Sequence, residues 1–327
     1  MTTIFSNLNK WITESIGKSE NIHLSRFSPE QYLYSLSERI KTPDLNESVI
    51  VLCNSIEEAE NTYQVLKPSK PFVDIFLITA ELESIYKDVN PNQSETIDAF
   101  RYLTFLSDTP KKKHILILNI NSFIKTYPPL SFFSSNSLKI ELDQALDPFE
   151  LSEYLVEIGY SQIFDCSEKG SFSRKGLILD INPTNFDPIR ITFEDDVVSS
   201  IQPFDLSSQR TLEKHSLKSI LIGPGLNAIL KDKNINLFKN SIQKPNNFQK
   251  EKFLKRKDIF SNLNNSILFP LYEKYIPLFF HDADSIINIM KPGYVVHFNY
   301  QQYQILSSNL IEILRVQYEE SIQNKDD

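Results

Sequence analysis

The segment Gly17-Lys18-Ser19 is where residue types and spacing first suggest chemistry, because a phosphate-binding loop ends in glycine, lysine and serine or threonine. Such a loop also follows a strand, and it carries another glycine further upstream. Here no strand pattern precedes the segment, and Ile12 occupies the position of that upstream glycine. The sequence therefore favours a helix that ends at Gly17 over a nucleotide site.

Two lysine-rich runs and one histidine-aspartate cluster are the other groups that could hold a ligand. Lys111–Lys113 and Lys250–Lys257 could contact phosphate, but such runs more often form a solvated loop and a solvated helix face. His281, Asp282 and Asp284 could form a metal trio, although this pattern is more typical of the start of a helix. We find no side chains spaced as nucleophile and base, so we do not expect an enzyme.

Glycine is scarce in this chain, with 7 among 327 residues. Loops that bind dinucleotides or phosphates use clustered glycines, which let the backbone approach the anion. We therefore expect no nucleotide cofactor, and the residues indicate no metal. The formal net charge of −8 also disfavours non-specific binding of nucleic acid.

The cysteines and the apolar runs indicate the compartment. Cys53 and Cys166 cannot make a disulfide framework or a zinc set, and both lie in or beside apolar runs, so we expect buried free thiols. The segment MTTIFSNLNKWITE lacks the basic and apolar regions of a signal peptide. The longest apolar runs fall short of the roughly 20 residues that a membrane-spanning helix needs. These features predict a soluble, cytoplasmic protein.

Short apolar strands alternate with helical patterns in the first part of the chain. The predicted strands are Ser48–Cys53, Val73–Thr79 and His114–Ile120, and the predicted helices are Pro29–Ile40, Ser55–Leu66 and Ser94–Leu106. Strands that alternate with helices are typical of a parallel sheet. The sequence thus predicts an α/β domain at this end of the chain.

The pattern changes after a helix predicted at Asp147–Ile158. From Gln162 to Ile222 the chain consists mostly of strands joined by short turns, which predicts a compact α+β unit. Helical patterns then dominate, apart from one late strand at Gly293–Phe298, and an amphipathic helix runs from about Gln301 towards the end.

The stretch from Arg174 to Glu213 carries polar side chains along one face of its predicted sheet. In Ile189–Glu194, the apolar residues alternate with Arg190, Thr192 and Glu194, so the two sets lie on opposite faces. A polar face of this kind is either solvated or docks a partner. In the second case an arginine would supply a charge-assisted anchor.

This same stretch resembles a known family. Gly159-Tyr160, EKGSFSRKGLILDINP from Glu168, PIRITFEDD from Pro188 and FDLSSQRTLE from Phe204 resemble the second domain of the bacterial transcription-repair coupling factors (Mfd), which is related to a domain of the excision-repair protein UvrB. SVIVLC, HILILNINSFIK and the segment from Tyr275 are similar to neighbouring parts of that family. The resemblance covers nearly the whole chain.

The resemblance implies an α/β fold with two parts. Residues 1–128 and 223–327 would combine into a degenerate RecA-like (P-loop NTPase-like) lobe with a C-terminal helix, and residues 129–222 would form an inserted α+β UvrB-interaction domain. By position, the former nucleotide loop would be Leu24–Pro29, which contains no glycine and no lysine. The chain is thus similar to the members whose lobe binds no nucleotide.

The resemblance also implies a partner and its contact residues. Family members bind UvrA, the damage-recognition ATPase, through two arginines and an aromatic residue. The second arginine falls on Arg190, the first falls on Lys175 beside Arg174, and the aromatic position falls on Glu194 beside Phe193. We therefore expect a non-catalytic module of nucleotide excision repair that recruits UvrA, from a truncated or split coupling factor without polymerase-binding and translocase modules.

Three alternatives stay open. The chain could be a regulatory subunit of a split ATP-dependent DNA translocase, in which case a separate chain would carry the motor and the RNA polymerase-binding module. It could also be a remnant that folds but binds nothing, as the changes at Lys175 and Glu194 would allow. Direct DNA binding by Lys250–Lys257 is the least favoured, because the net charge opposes it.

Overall fold

The structure is a computed structural model of the chain. It describes residues 29–40, 47–81, 93–212, 216–226, 228–243, 261–263, 272–297 and 300–323. Contacts divide the chain into two compact units. The first unit comprises Met1–Tyr86, Lys111–Lys125 and Met290–Asp327, and the second comprises Lys87–Pro110 and Thr126–Ile289.

Helices and strands follow one another along the described residues. The helices are α1 (Pro29–Ile40), α2 (Ile56–Leu66), α3 (Gln93–Asp108), α4 (Ile120–Ile124), α5 (Leu130–Ser135), α6 (Pro148–Glu157), α7 (Asp232–Gln243), α8 (Ile276–Phe279), α9 (Ile286–Met290) and α10 (Tyr300–Gln323). The strands are β1 (Val49–Cys53), β2 (Asp74–Ile78), β3 (His114–Asn119), β4 (Thr126–Tyr127), β5 (Leu138–Glu141), β6 (Ser161–Gln162), β7 (Ser171–Lys175), β8 (Ile178–Asn182), β9 (Ile189–Glu194), β10 (Val197–Asp205), β11 (Arg210–Thr211), β12 (Ser219–Ile222), β13 (Asp284–Ser285) and β14 (Tyr294–His297). The three helices and three strands predicted between residues 29 and 120 are present, close to the predicted bounds. The helix predicted to end at Gly17 lies outside the described residues.

A parallel sheet organises the first unit, with its strands in the order β14-β1-β3-β2. Strands β1 and β3 are buried along their whole length, which explains why their sequences are continuous apolar runs. Ser55 caps α2, because its side chain accepts a hydrogen bond from the Glu58 N–H at 3.1 Å. The predicted α/β arrangement with a parallel sheet is confirmed.

A six-stranded sheet organises the second unit, in the order β11-β10-β9-β8-β7-β6. Neighbouring strands are antiparallel except for β6 and β7. Strands β5 and β12 form a separate antiparallel pair, in which Leu138 lies opposite Ile222. Strand β5 precedes the six-stranded sheet in the chain, and β12 follows that sheet. The pairing of β12 with β5 therefore brings the two ends of this segment together. The run of strands joined by short turns that the sequence predicts from Gln162 to Ile222 is confirmed.

One face of the six-stranded sheet, here called the inner face, builds the core of the second unit. Leu179 and Ile191 lie opposite each other on it and are fully buried, as is Phe172. They belong to one apolar cluster with Leu151 and Leu155 of α6. Each large apolar side chain that is removed from water contributes about 2 kcal/mol, so this cluster fixes the sheet against α6.

The domain boundaries predicted at 129 and 222 lie inside the second unit. That unit also contains α3 and residues 223–289, which the prediction assigns to the RecA-like lobe. The predicted boundaries therefore stay a prediction, as does the RecA-like character of the lobe.

Several candidate ligand groups fall outside the described residues, namely Gly17-Lys18-Ser19, Leu24–Ser28 and Lys250–Lys257. Of the lysines before β3, Lys112 forms an ion pair with Asp74 at 2.8 Å. Asp284 accepts hydrogen bonds from the Ser285 N–H and the Asn288 amide at the start of α9.

The described residues contain no group of three or more histidine, cysteine or acidic side chains that could hold a metal ion. Within that same part of the chain, no helix combines the length and apolar character needed to cross a membrane. Cys53 and Cys166 are free and buried, as predicted, and burial raises the pKa of each thiol to about 12. Neither is suited to nucleophilic chemistry, because the thiolate is the reactive form.

Candidate partner-docking surface

The outer face of the six-stranded sheet lies opposite the inner face and carries the polar side chains that the sequence singles out. Two cross-strand rows of this face follow from the strand register. One row contains Lys175, Ile178, Thr192 and Ser200, and the next contains Ser173, Asp180, Arg190 and Gln202. Because these two rows have different surroundings, the outer face divides into a covered half and an open half.

The covered half of the outer face is the part formed by Ser173, Asp180, Asn182, Arg190 and Phe204. Asp180 is 3% exposed and Arg190 is 21% exposed. The Arg190 guanidinium donates to both carboxylate oxygens of Asp180, from Nε at 2.6 Å and from Nη2 at 2.9 Å. This two-pronged geometry makes the strongest form of charge-assisted hydrogen bond, and it raises the pKa of the Arg190 guanidinium.

Arg190 also packs against an aromatic ring. Its guanidinium carbon lies 4.5 Å from the centre of the Phe204 ring, which is only 2% exposed. A cation over an aromatic face contributes roughly 0.5–2 kcal/mol, more when water is excluded. Arg190 therefore links three strands of the sheet by its contacts with Asp180 on β8 and Phe204 on β10.

A loop between β6 and β7 folds over this half of the face. Ser173 Oγ donates to the Phe164 carbonyl at 2.8 Å, and Asn182 Nδ2 donates to the Cys166 carbonyl at 3.3 Å. Since these donors project from the outer face, the loop backbone must lie above it. The loop satisfies polar side chains that would otherwise be buried without partners.

The turn between β10 and β11 completes the cover. Asp205 Oδ1 accepts hydrogen bonds from the Ser207 and Ser208 side chains and from the Ser208 N–H, each at 2.7 Å. These bonds lower the pKa of Asp205 to about 2. The turn presents Gln209 in a left-handed conformation, with φ at 56°, and Gln209 Nε2 reaches the Asp165 carbonyl at 3.5 Å.

The open half of the outer face consists of Lys175, Ile178, Thr192, Glu194 and Val197. Ile178 is 36% exposed and Val197 is 39% exposed, while Lys175 and Glu194 are exposed charges. Glu194 lies opposite Val197 across the β9–β10 hairpin. From β7 to β10 the open half thus presents a cation, an apolar side chain, an anion and a second apolar side chain. Apolar and charged side chains mixed in this way are typical of protein contacts.

Phe164 extends the open half at the β7 edge. Its side chain is 85% exposed, and the Lys175 ammonium lies 4.8 Å from the centre of its ring. An aromatic ring and a charge are therefore held side by side next to Ile178. Sequence reasoning missed Phe164, because an isolated phenylalanine in a loop gives no periodic signal.

Sequence reasoning also missed Ile178 and Val197 as surface residues. Ile178 alternates with the buried residues Leu179 and Ile181 in β8 only in part, and its position beside the β7–β8 turn is a signal that could have found it. Val197 begins a strand immediately after an acidic hairpin turn, where exposure is common.

The five predicted contact residues do not lie together. Lys175 and Glu194 are on the open half, and Arg190 is on the covered half. Arg174 and Phe193 belong to the inner face, because they pair across the strands with the inner-face residues Leu179 and Val198. The structure thus separates Arg174 and Phe193 from Lys175 and Glu194, and the set of contact residues stays a prediction.

Phe193 is a core residue of the second unit and is almost fully buried. Arg174 lies with its guanidinium carbon 3.8 Å from the centre of the exposed Phe149 ring, on α6. A partner that docks on the open half therefore cannot contact Phe193, and Arg174 points away from that half.

Part of this chain is similar to a known protein family. Residues 138–225 match the family model described as the UvrB interaction domain. The match begins at the first residue of β5 and ends shortly after β12, so it encloses the whole six-stranded sheet. The chain is similar to the N-terminal region of transcription-repair coupling factors.

Curated relatives of that name extend the similarity beyond the sheet. The transcription-repair-coupling factor of Rickettsia typhi is 26% identical over 267 residues, which cover 81% of this chain and 23% of the relative. The protein of Bacillus subtilis is 34% identical over 118 residues, covering 36% of this chain and 10% of the relative. That of Escherichia coli is 28% identical over 160 residues, covering 48% and 14%. The matched part is thus about a quarter or less of each of these relatives.

Proposed function

We propose that this chain acts in transcription-coupled repair as a protein-docking module that recruits UvrA through the open half of its six-stranded sheet. The observation that carries the proposal is the exposure of Ile178 and Val197, which alternate with the charges of Lys175 and Glu194 on neighbouring strands of the sheet. The similarity to coupling factors and the match to the UvrB interaction domain support the pathway. The identity of the partner rests on the family resemblance.

The chemistry of the open half favours a protein over a nucleic acid. Its charges are one lysine and one glutamate, so it offers no net positive field to a phosphate backbone, and the whole chain carries −8. The two apolar side chains would be buried by a protein partner, which at about 25 cal/mol per Å² favours binding.

Arg190 has a different role in this proposal from the one that the resemblance implies. Its hydrogen-bonding groups are directed at Asp180, so we assign it to holding β8, β9 and β10 in register beneath the docking surface. Lys175, whose ammonium is exposed and lies over the Phe164 ring, is the cation offered to a partner carboxylate.

We assign no catalytic step to these 327 residues. The four-stranded parallel sheet of the first unit is consistent with a RecA-like lobe, and the segment that corresponds to its nucleotide loop, Leu24–Pro29, has neither the glycine nor the lysine of a working phosphate loop. We propose that this lobe is a structural support without nucleotide, and that any translocase activity belongs to other modules.

Titration of UvrA from the same organism with the native chain tests the proposal. The decisive variant is Ile178→Asp, which places a carboxylate in the open half. The matched control is Val156→Asp, which makes a similar change at an exposed position on α6. Micromolar or tighter binding that Ile178→Asp abolishes and Val156→Asp retains is the expected result.

Two results would contradict the proposal. In one, the native chain melts cooperatively but shows no binding to UvrA. In the other, both aspartate variants bind as well as the native chain, which would move the contact to another surface. The first result would favour the alternative in which the fold persists without its partner.

A further inference from the structure

Phe164 is the most exposed of the large apolar side chains in the described part of the chain. We propose that its ring is the aromatic anchor of the docking surface and that it inserts into an apolar pocket of the partner, with Lys175 pairing with a carboxylate at the rim of that pocket. This inference rests on the proposed function and adds a residue that neither the family match nor the resemblance assigns.

Folding does not require Phe164 to be aromatic, because its ring is 85% exposed. Phe204 provides the contrast, since it is fully covered and lies beneath Arg190. Aromatic residues are enriched among the side chains that dominate binding energy at protein interfaces.

The backbone that carries Phe164 is held on both sides. The Ile163 N–H donates to the Phe172 carbonyl at 2.9 Å, and Ser173 Oγ donates to the Phe164 carbonyl at 2.8 Å. On the other side, Asp165 Oδ1 accepts from the Ser167 N–H at 3.3 Å and from its Oγ at 2.9 Å. A ring on such a fixed segment loses little conformational entropy on binding, which is the advantage of a pre-organised anchor.

Lys175 determines the chemistry of the pocket that would accept the ring. Its ammonium lies 4.8 Å from the ring centre and is exposed, so a partner carboxylate beside the pocket could pair with it without displacing the ring. Glu194 lies two strands away, at roughly 10 Å across the sheet, where it would face a basic group of the partner. The partner surface thus has an apolar pocket, an acidic rim on the β7 side and a basic residue on the β9 side.

An aromatic ring next to a lysine can also stack on a base of single-stranded nucleic acid. The surroundings of Phe164 favour a protein instead, because Ile178, Val197 and Glu194 offer a base neither stacking nor charge attraction. Single-stranded DNA therefore serves as the alternative ligand in the test.

The test compares Phe164→Ala with Phe149→Ala. Phe149 is a matched control, since its ring is also exposed and also lies under a cation, Arg174, but belongs to the α6 side of the second unit. The chain and both variants are titrated against UvrA and, separately, against a single-stranded oligodeoxynucleotide, and their melting curves are recorded. We expect Phe164→Ala to weaken UvrA binding by at least about tenfold, Phe149→Ala to change it by less than about threefold, and Phe164→Trp to retain it.

The outcomes separate this inference from the proposed function. UvrA binding that is equal in the native chain and in Phe164→Ala overturns the role of Phe164 and leaves the docking function intact. Absence of UvrA binding by the native chain overturns both. Binding of the oligonucleotide that is lost only in Phe164→Ala would also overturn the inference, because it would make the ring a stacking platform.

Discussion

The covered and open halves of one sheet face use the same strands for different purposes. In the covered half, Asp180 and Arg190 satisfy each other, and a loop lies over the neighbouring side chains Ser173 and Asn182. In the open half, one row further along the same strands, Ile178 and Lys175 face solvent without such a cover. Polar residues thus occupy the protected part of the face and apolar residues occupy part of the accessible one, the reverse of what burial alone would favour.

This contrast indicates which half of the outer face stabilises the fold and which half is available for binding. A buried ion pair with good geometry fixes the register of its strands, although removing its charges from water costs free energy. An exposed apolar side chain contributes little to the free energy of unfolding. Mutations in the covered half should therefore change stability first and binding second. Mutations in the open half should change binding alone.

The largest expected effect is on stability, from Arg190→Ala. The substitution leaves the Asp180 carboxylate buried without its partner, and breaking a buried pair in this way costs about 3–5 kcal/mol. Chemical denaturation of the native chain and the variant measures the change in the free energy of unfolding.

The double variant Asp180→Leu/Arg190→Met is the control for Arg190→Ala, because it removes both charges and keeps side-chain volume. It should recover most of the lost stability. An Arg190→Ala variant as stable as the native chain would show that the pair is not the structural element described here, and would return Arg190 to the docking residues.

The two phenylalanines of this face should respond in opposite ways. Phe204→Ala removes a buried ring and should cost about 3–5 kcal/mol of unfolding free energy, the same range as Arg190→Ala. Phe164→Ala removes an exposed ring and should change that free energy by less than about 0.5 kcal/mol. Denaturant midpoints measured on both variants test the contrast, and equal losses would contradict it.

A smaller effect is expected at Gly176, in the hairpin loop that joins β7 and β8. Its φ of +67° is unfavourable for residues with a side chain, although an added Cβ would have no neighbour within 4 Å. Gly176→Ala should therefore cost about 1–2 kcal/mol through backbone strain alone. Gly225→Ala is the comparison, because its Cβ would lie 2.5 Å from the Gly159 carbonyl oxygen. This substitution should lower the free energy of unfolding by more than Gly176→Ala does.

The smallest expected effect comes from Lys175→Gln. An exposed charge at the rim of an interface mainly affects the association rate and its salt dependence, and an exposed ion pair is worth about 1 kcal/mol or less. We expect a loss of UvrA affinity of a few fold at low salt that shrinks as salt is added. Stopped-flow association rates at several ionic strengths check this, and an unchanged salt dependence would exclude Lys175 from the contact.

Much of the fold follows from local patterns in the sequence. Strands β1 and β3 are continuous apolar runs, Ser55 is a clear helix cap, and the alternation in Ile189–Glu194 fixes which residues share a face. The same alternation places Asp180 and Arg190 on one face, so their pairing requires only the strand register.

The division of that face could not be predicted in the same way. Nothing local indicates that the loop from Ile163 folds back over Ser173 and Asn182, because its hydrogen bonds join residues that are distant in the chain. The register also assigns Arg174 and Phe193 to the inner face, although their neighbours in sequence, Lys175 and Glu194, are on the outer one. A shift of one residue along a strand reverses the face, and similarity at adjacent positions does not resolve it.

Hydroxyl-radical footprinting of the chain, alone and with UvrA, tests the central claim most directly, since it reports side-chain exposure residue by residue. The account predicts that Phe164, Ile178 and Val197 lose labelling in the complex while Phe149 keeps it. Protection of Phe149 instead, with Phe164 and Ile178 labelled as in the free chain, would contradict the assignment of the open half as the docking surface.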